Sequence, residues 1–319
     1  MLDMVRLSPR PLFPPGGVDL YRQIALLSEM AEGAEVLSVG SGTGVTLEYF
    51  VQEHGAHGSG VEADGWVVEA AEARARAQGL SARIQFQKAE PDSLPYRDEI
   101  FDVVVGELGF AARCDPVDAV REMVRVTKPL GRIVLVRLVW KAPVEPARQT
   151  ALTRRLGARP LMLVEWKRML RDMGVVGVHI EDWSDTETSF RPRVDKPFPD
   201  FSEIFTTWEK LVILRRAWSR WGWRGMRWIL EREWEIHRLL SHERILGLVL
   251  LTGRKAAEAA EAEAPDVEEE EADEPVAVAA PKPGPGGAPV AGGKGSKKEG
   301  PGLDAGTSGL PLFRGTDDD

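Results

Sequence analysis

Residues 35–50 read EVLSVGSGTGVTLEYF: an apolar run of strand length, three alternating glycines at Gly40, Gly42 and Gly44, and then apolar residues at helical spacing. A strand that turns sharply into a helix needs residues free to take positive φ and lacking a Cβ that would hold a ligand away from the backbone. Glycine supplies both, and the helix start adds N–H groups that have no partner within the helix. This stretch therefore reads as a cradle for a nucleoside cofactor. Its spacing argues against a dinucleotide. The G-x-G-x-x-G/A fingerprint would put its third small residue at position 45, which is valine, whereas the glycine falls one residue earlier at Gly44.

Three further segments follow in order. Gly60 to Asp64 (GVEAD) reads as the end of a second strand, with Glu62 eighteen positions after Gly44. A carboxylate there offers acceptors only, which suits two ribose hydroxyls. Residues 83–105 (RIQFQKAEPDSLPYRDEIFDVVV) read as two more strands joined by a loop, and residues 115–136 (DPVDAVREMVRVTKPLGRIVLV) as helix, turn and strand. In that helix Asp115 is the N-cap, Pro116 opens the first turn, and Val117, Val120 and Val124 are expected to face a sheet. Glycine after Gln78 stops another helix begun at Gly65.

This order of motifs resembles that of the class I S-adenosylmethionine-dependent methyltransferases, over roughly Asp19 to Trp183. The resemblance implies an α/β fold: a doubly wound, mostly parallel, seven-stranded Rossmann-like sheet whose last strand, near Ile245 to Thr252, is antiparallel. It implies S-adenosyl-L-methionine as cofactor, cradled by Gly40, Ser41, Gly42, Thr43 and Gly44. Glu62 would take the ribose hydroxyls and Glu90 the adenine amino group, with Ala63, Pro91 and Gly106 lining the same crevice. Tyr21, on a helix expected from Asp19 to Met30, would reach the methionine end. Two positions depart from the family pattern. Ser38 stands where an acid usually braces the glycine loop, and Leu130 replaces the first glycine of a Pro-Gly-Gly turn.

Composition bounds the rest. The chain has 319 residues and 43% hydrophobic content, enough for one large core with an appendage. One cysteine, Cys114, forbids an internal disulfide and any cysteine-rich metal site, and the five histidines show no i, i+4 pair, so no metal is assigned. A reducing cytoplasm is the expected compartment, with no signal peptide in the first twenty residues and no apolar run of membrane-span length. The formal charge is −9, but residues 255–319 hold fifteen acids against six bases, which leaves residues 1–254 with thirty-five of each sign. A neutral body gives no general case for binding nucleic acid.

The expected organisation is a methyltransferase domain over 1–254 and a disordered acidic, Pro/Gly-rich tail over 255–319, where apolar surface is too sparse to offset ordering entropy. A marginal helix near 256–264 and a GLPLF peptide at 309–313 are the features of that tail, which could bind a protein partner. Inside the domain a helical insertion, about 185–243, precedes the last strand. It carries Trp208, Trp218, Trp221, Trp223, Trp228 and Trp234, interleaved with Arg215, Arg216, Arg220, Arg224, Arg227 and Arg232. Three readings stand: a cap that buries its indoles on the sheet domain, a lid lining an apolar acceptor pocket, or a basic aromatic surface for peripheral contact with anionic lipid or single-stranded nucleic acid.

The expected reaction is in-line displacement of an activated methyl onto a small or lipophilic acceptor, in the manner of quinone-ring and other small-molecule methyltransferases. Positioning and exclusion of water supply much of such a rate enhancement. Glu107, at the carboxyl end of the fourth strand, is the candidate to orient the acceptor or remove its proton, with His179 and His237 behind it. The alternatives are a non-catalytic module that binds the same cofactor or a partner, and an NAD(P)-dependent oxidoreductase, which the glycine spacing disfavours.

Overall fold

The structure is a computed structural model that describes residues 7–10, 12–111, 114–156, 160–184 and 205–257. The first part of the expected insertion, 185–204, and the tail beyond 257 with its helix and GLPLF peptide lie outside the described residues.

Alternating elements build one twisted sheet. After helix α1 (Gly17–Leu27) come β1 (Glu35–Val39), α2 (Val45–His54), β2 (His57–Glu62), α3 (Gly65–Ala77), β3 (Ile84–Lys88), β4 (Phe101–Gly106), α4 (Pro116–Val126) and β5 (Thr127–Trp140). Then follow α5 (Pro146–Leu156), a two-residue β6 (Leu161–Met162), α6 (Leu163–Asp172), β7 (Val175–Asp182), α7 (Thr207–His237), a π-helical turn (Arg238–His242) and β8 (Leu246–Lys255). The strand order is β3-β2-β1-β4-β5-β8-β7, with β6 beside β5. β8 is antiparallel to both its neighbours, and the pairs from β3 to β5 are parallel. The seven long strands are as expected. Only the β6 stub was not, since two residues give no periodic signal.

The order reverses between β1 and β4: the chain runs outward from β1 to β3 and then returns to β1's other side. Such a switch point leaves a crevice at the carboxyl ends of the strands. Two apolar cores flank the sheet. One gathers Leu20, Tyr21, Ile24, Phe50, Trp140 and Leu248, the other Leu37, Phe101, Val120, Met123, Trp166 and Leu251. Helix α4 begins as read, with Asp115 accepting from the Val117 amide at 2.8 Å. Its sheet-facing stripe is Ala119, Val120, Met123 and Val126, however. Val117, in the first turn, is 38% exposed and Val124 only partly buried, so of the three valines expected inward only Val120 is fully buried.

Helix α7 is a separate piece of architecture. A capping box starts it, with the Thr206 hydroxyl accepting from the Glu209 amide while the Glu209 carboxylate accepts from the Thr206 amide. It is broken at Gly222, where φ 64° and ψ −175° fall in a region open essentially to glycine alone. Its inward residues Ile213, Ala217, Met226 and Ile229 form a third small core with Leu7 and Phe205, against which Leu12, Trp66 and Trp221 pack. The expectation that the cap buries its indoles on the sheet fails. Trp208, Trp218, Trp223, Trp228 and Trp234 are between 46% and 65% exposed. Helical spacing explains it: the buried residues occupy one face, and these tryptophans fall off it. No helix among the described residues is long and apolar enough to cross a membrane.

Candidate functional site

Register brings the scattered motifs together. Val39 pairs with Val61 on one side and Gly106 on the other, and Glu62 pairs with Lys88. The turns that follow these strands, carrying Gly40–Gly44, Glu62–Ala63, Glu90–Pro91 and Gly106–Glu107, therefore share one edge of the sheet.

Gly40, Gly42 and Gly44 all have positive φ, between 54° and 81°, as the tight turn requires. A Cβ on Gly40 would come within 2.8 Å of the Phe110 amide nitrogen and one on Gly44 within 2.4 Å of the Phe86 ring, whereas the same atom on Gly42 would meet open space. The first and third glycines are thus required by packing as well as conformation, and the middle one faces outward. The loop is tied down by the Gly40 and Ser41 amides, both donating to the Val61 carbonyl at 2.9 and 3.1 Å. Glu62 is buried, with its carboxylate accepting from the Gly42 amide at 3.1 Å and from its own neighbour Ala63 at 3.2 Å. Inside the same loop the Ser41 hydroxyl is buried with no hydrogen-bond partner among the described residues. An orphaned hydroxyl, open space at Gly42 and an acceptor-only acid beside them fit a polyhydroxylated nucleoside.

The remaining predicted positions divide. Glu90 is exposed at the end of β3 and Pro91 is buried behind it. Gly106 is buried, and a Cβ there would come within 2.8 Å of the Leu135 side-chain end, which would have to shift to admit it. Tyr21 is fully buried and donates to Glu107 at 3.3 Å.

Glu107 itself sits under the glycine loop with 3% of its surface exposed. Its carboxylate accepts from three hydroxyls: Ser38 in a short bond, Thr46 at 3.1 Å and Tyr21. Burial pushes its pKa up to about 7 against the lowering effect of the Ser38, Thr46 and Tyr21 donors, with the charge of Glu62 adding to the rise. Tyr21 in turn is raised well above the ordinary phenol value, first by burial and then by Glu107. The acid missing at position 38 is thereby replaced from another strand: Ser38 presents a hydroxyl, and β4's end delivers the carboxylate to it.

Sequence reasoning did not find this pairing, nor Thr46 and Arg137. The one signal was a polar Ser38 in an apolar strand, since a buried hydroxyl needs a partner. Arg137 is buried without any carboxylate among the described residues. Its guanidinium donates to the Phe110 carbonyl at 2.7 Å and lies over the Phe110 and Trp166 rings at 5.3 and 4.9 Å. Burial lowers its pKa to about 10. It fixes the Leu108–Phe110 backbone that closes the crevice beside Gly40.

Helix α7 with residues 7–10 and 12 lines an open cavity of about 770 Å³ that reaches Thr43 of the glycine loop. Trp66, at the start of α3, forms part of its wall.

Residues 37–135 match the methyltransferase domain family. Among relatives, "Methyltransferase GfsG" of Streptomyces halstedii is 30% identical over 129 residues, covering 40% of this chain and 46% of that protein. The "Ubiquinone/menaquinone biosynthesis C-methyltransferase UbiE" of Idiomarina loihiensis is 31% identical over 111 residues, or 34% of this chain and 44% of its own. The chain thus spans less than half the length of these relatives. Similar solved structures include the [4+2]-cyclase SpnF, with a TM-score of 0.58 and 24% identity over 75% of this chain and 80% of that one. Geranyl diphosphate C-methyltransferase from Streptomyces coelicolor A3(2) gives 0.54 and 14% over 75% and 79%. At these identities the structures speak for the fold, and one of them is named for a cyclisation. The likeness to the methyltransferase domain family therefore rests on residues 37–135, and the sheet built on them shares its fold with these solved structures.

Proposed function

We propose that the protein transfers a methyl group from S-adenosyl-L-methionine to a small or lipophilic acceptor. The observation that carries this reading is the meeting of the glycine loop, its open face at Gly42 and its orphaned Ser41 hydroxyl with the buried Glu62 carboxylate. Gly40, Ser41, Gly42, Thr43 and Gly44 would surround the cofactor's polar body. Glu62 would hold the ribose hydroxyls, beside Ala63, and Glu90 and Pro91 would meet the adenine. The relatives GfsG and UbiE are named as methyltransferases, and the geranyl diphosphate enzyme is described with S-adenosyl-L-homocysteine bound.

When bound, the sulfonium supplies a methyl already activated for displacement. The chain's own part is to orient the acceptor in line and to exclude water. Glu107 serves this from beneath: its hydrogen bonds to Ser38 on β1 and Thr46 on α2 clamp both sides of the glycine loop, and Tyr21 ties α1 to the same carboxylate. These three bonds occupy most of its roughly four acceptor sites, so a bracing role is better supported than proton removal from the acceptor.

The test is transfer of labelled methyl to a panel of quinols, phenols, amines and alkyl phosphates. Glu62→Ala should lower transfer by more than about a hundredfold at fixed cofactor. No transfer to any acceptor, with cofactor bound, would favour the non-catalytic reading.

A second reading concerns the outer face of α7. Trp208, Leu211, Trp218, Trp223 and Trp234 are all more than half exposed, and the Trp218 and Trp223 rings meet across the Gly222 kink at 5.5 Å. From Lys210 to Leu230 the helix has six cations and no acid. Indoles and arginines in this arrangement suit the headgroup zone of an anionic bilayer. Co-sedimentation with vesicles rich in phosphatidylglycerol, and not with pure phosphatidylcholine, is the expected result.

A further inference from the structure

The cavity under α7 has a composition unlike the rest of the crevice. Among the described residues that line it, five are arginines, Arg10, Arg74, Arg215, Arg216 and Arg220, and none is an acid. Two are committed elsewhere: Arg10 pairs with Glu209 at 2.6 Å and Arg74 with Glu48 at 2.6 Å. The other three have no carboxylate partner among the described residues. Arg216 spends one nitrogen on the Leu7 and Ser8 carbonyls at 2.9 and 3.1 Å, which fixes the guanidinium against the wall. The Arg220 Cζ lies over Trp66, 3.8 Å from the ring centroid, a cation–π contact that leaves its N–H groups able to donate. Arg215 is exposed beside them on the next turn. Apolar wall from Leu7, Leu12 and Val212 completes the space, whose volume is that of a small-molecule site.

Three guanidinium groups around one open cavity repel one another, and no acid among the described residues lines that cavity to offset them. A ligand with a doubly charged oxyanion removes that repulsion and matches the planar donor fork of arginine. The apolar wall asks for a short hydrocarbon body attached to it. We propose that the methyl acceptor is an anionic amphiphile carrying a phosphate monoester, whose head is gripped by Arg215, Arg216 and Arg220 while its body points toward Thr43 of the glycine loop. This rests on the methyl-transfer reading of the same site for the word acceptor, but the anion site itself does not.

Calorimetric titration of the full chain with hexyl phosphate, inorganic phosphate, hexanol, and phosphatidic acid in phosphatidylcholine vesicles tests it. Hexyl phosphate should bind more tightly than inorganic phosphate, hexanol should give no heat, and raising salt should weaken the binding. Arg215→Gln/Arg220→Gln should cost at least about tenfold in affinity. Arg215→Gln alone, which breaks no hydrogen bond or ion pair among the described residues, should cost a measurable part of it, and Arg224→Gln, outside the cavity lining, should not. Hexyl phosphate no tighter than hexanol, an unchanged affinity in the double variant, or binding to vesicles alone would overturn the proposal. S-adenosyl-L-homocysteine titrated into the same samples separates the two ideas: its binding without hexyl phosphate sinks only the anion site, and the reverse sinks only the methyl-transfer reading.

Discussion

The sheet with the helices packed on it and the long helix α7 treat the same residue type in opposite ways. Trp140 and Trp166 pack into the two cores with 1% and no exposure, whereas Trp208 and Trp234 on α7 keep 65% and 62% of theirs. One region spends its aromatic surface on stability. The other holds itself with a small cluster around Ile213 and Met226 and leaves the indoles outside, where only an external surface can use them. The lesson is that a tryptophan-rich insertion is not a core by composition; periodicity relative to the anchored face decides.

That contrast should appear directly in unfolding free energies. Trp166→Ala removes a fully buried ring on which Arg137 stacks and should cost about 3–5 kcal/mol, whereas Trp208→Ser should stay within about 0.5 kcal/mol. Equal losses in urea melts would mean that α7 is packed as the sheet is.

Within the sheet the borrowed acid gives a sharper break. Ser38→Asp installs the carboxylate at the position where the family usually has one, but here it lands against buried Glu107 and should cost about 3 kcal/mol. Adding Glu107→Gln should restore most of the loss, so the double-mutant cycle has a large coupling energy. Additive losses would show that the two positions act separately.

Glu107 also predicts a pH signature absent from α7. Its folded pKa is raised to about 7 from an ordinary 4.5, so the folded state holds the proton more tightly. Stability from this group is full below about 4.5, declines as pH rises to about 7, and is level beyond. The decline is at most roughly 3 kcal/mol. Subtracting the Glu107→Gln curve from the wild-type curve should leave that slope alone; a difference that rises with pH would contradict the burial argument.

The smallest effect concerns Leu130, which occupies the left-handed region at φ 63° with 57% of its surface exposed. Leu130→Gly should raise stability by up to about 1 kcal/mol, the relief of left-handed strain less the entropy glycine brings to the unfolded chain. A loss on thermal unfolding would mean that the leucine contributes packing that offsets its strain.

Much of this was legible in the sequence where the signal is local. The glycine turn, the Asp115 cap, Glu62 at a strand end and the antiparallel last strand each follow from a few adjacent residues and a known order. What escaped depends on contacts between distant residues. Ser38 and Glu107 lie sixty-nine positions apart, so neither motif reveals that one hydroxyl receives the other's carboxylate. Arg216 meets Leu7 across 209 positions, which is why a cavity closed by the chain's first described residues could not be foreseen. The direction of the α7 indoles depended on which face Ile213 and Met226 anchor, and a helix broken at Gly222 blurs that face in any periodicity count.

The central claim is that the loop from Gly40 to Gly44, with Glu62, encloses an adenosyl sulfonium. Calorimetric titration of the full chain with S-adenosyl-L-methionine, S-adenosyl-L-homocysteine and NAD tests it most directly. The account predicts micromolar binding of the first two, lost in Glu62→Ala, and no heat with NAD; saturation by NAD, or silence from both adenosyl compounds at millimolar concentration, would contradict it.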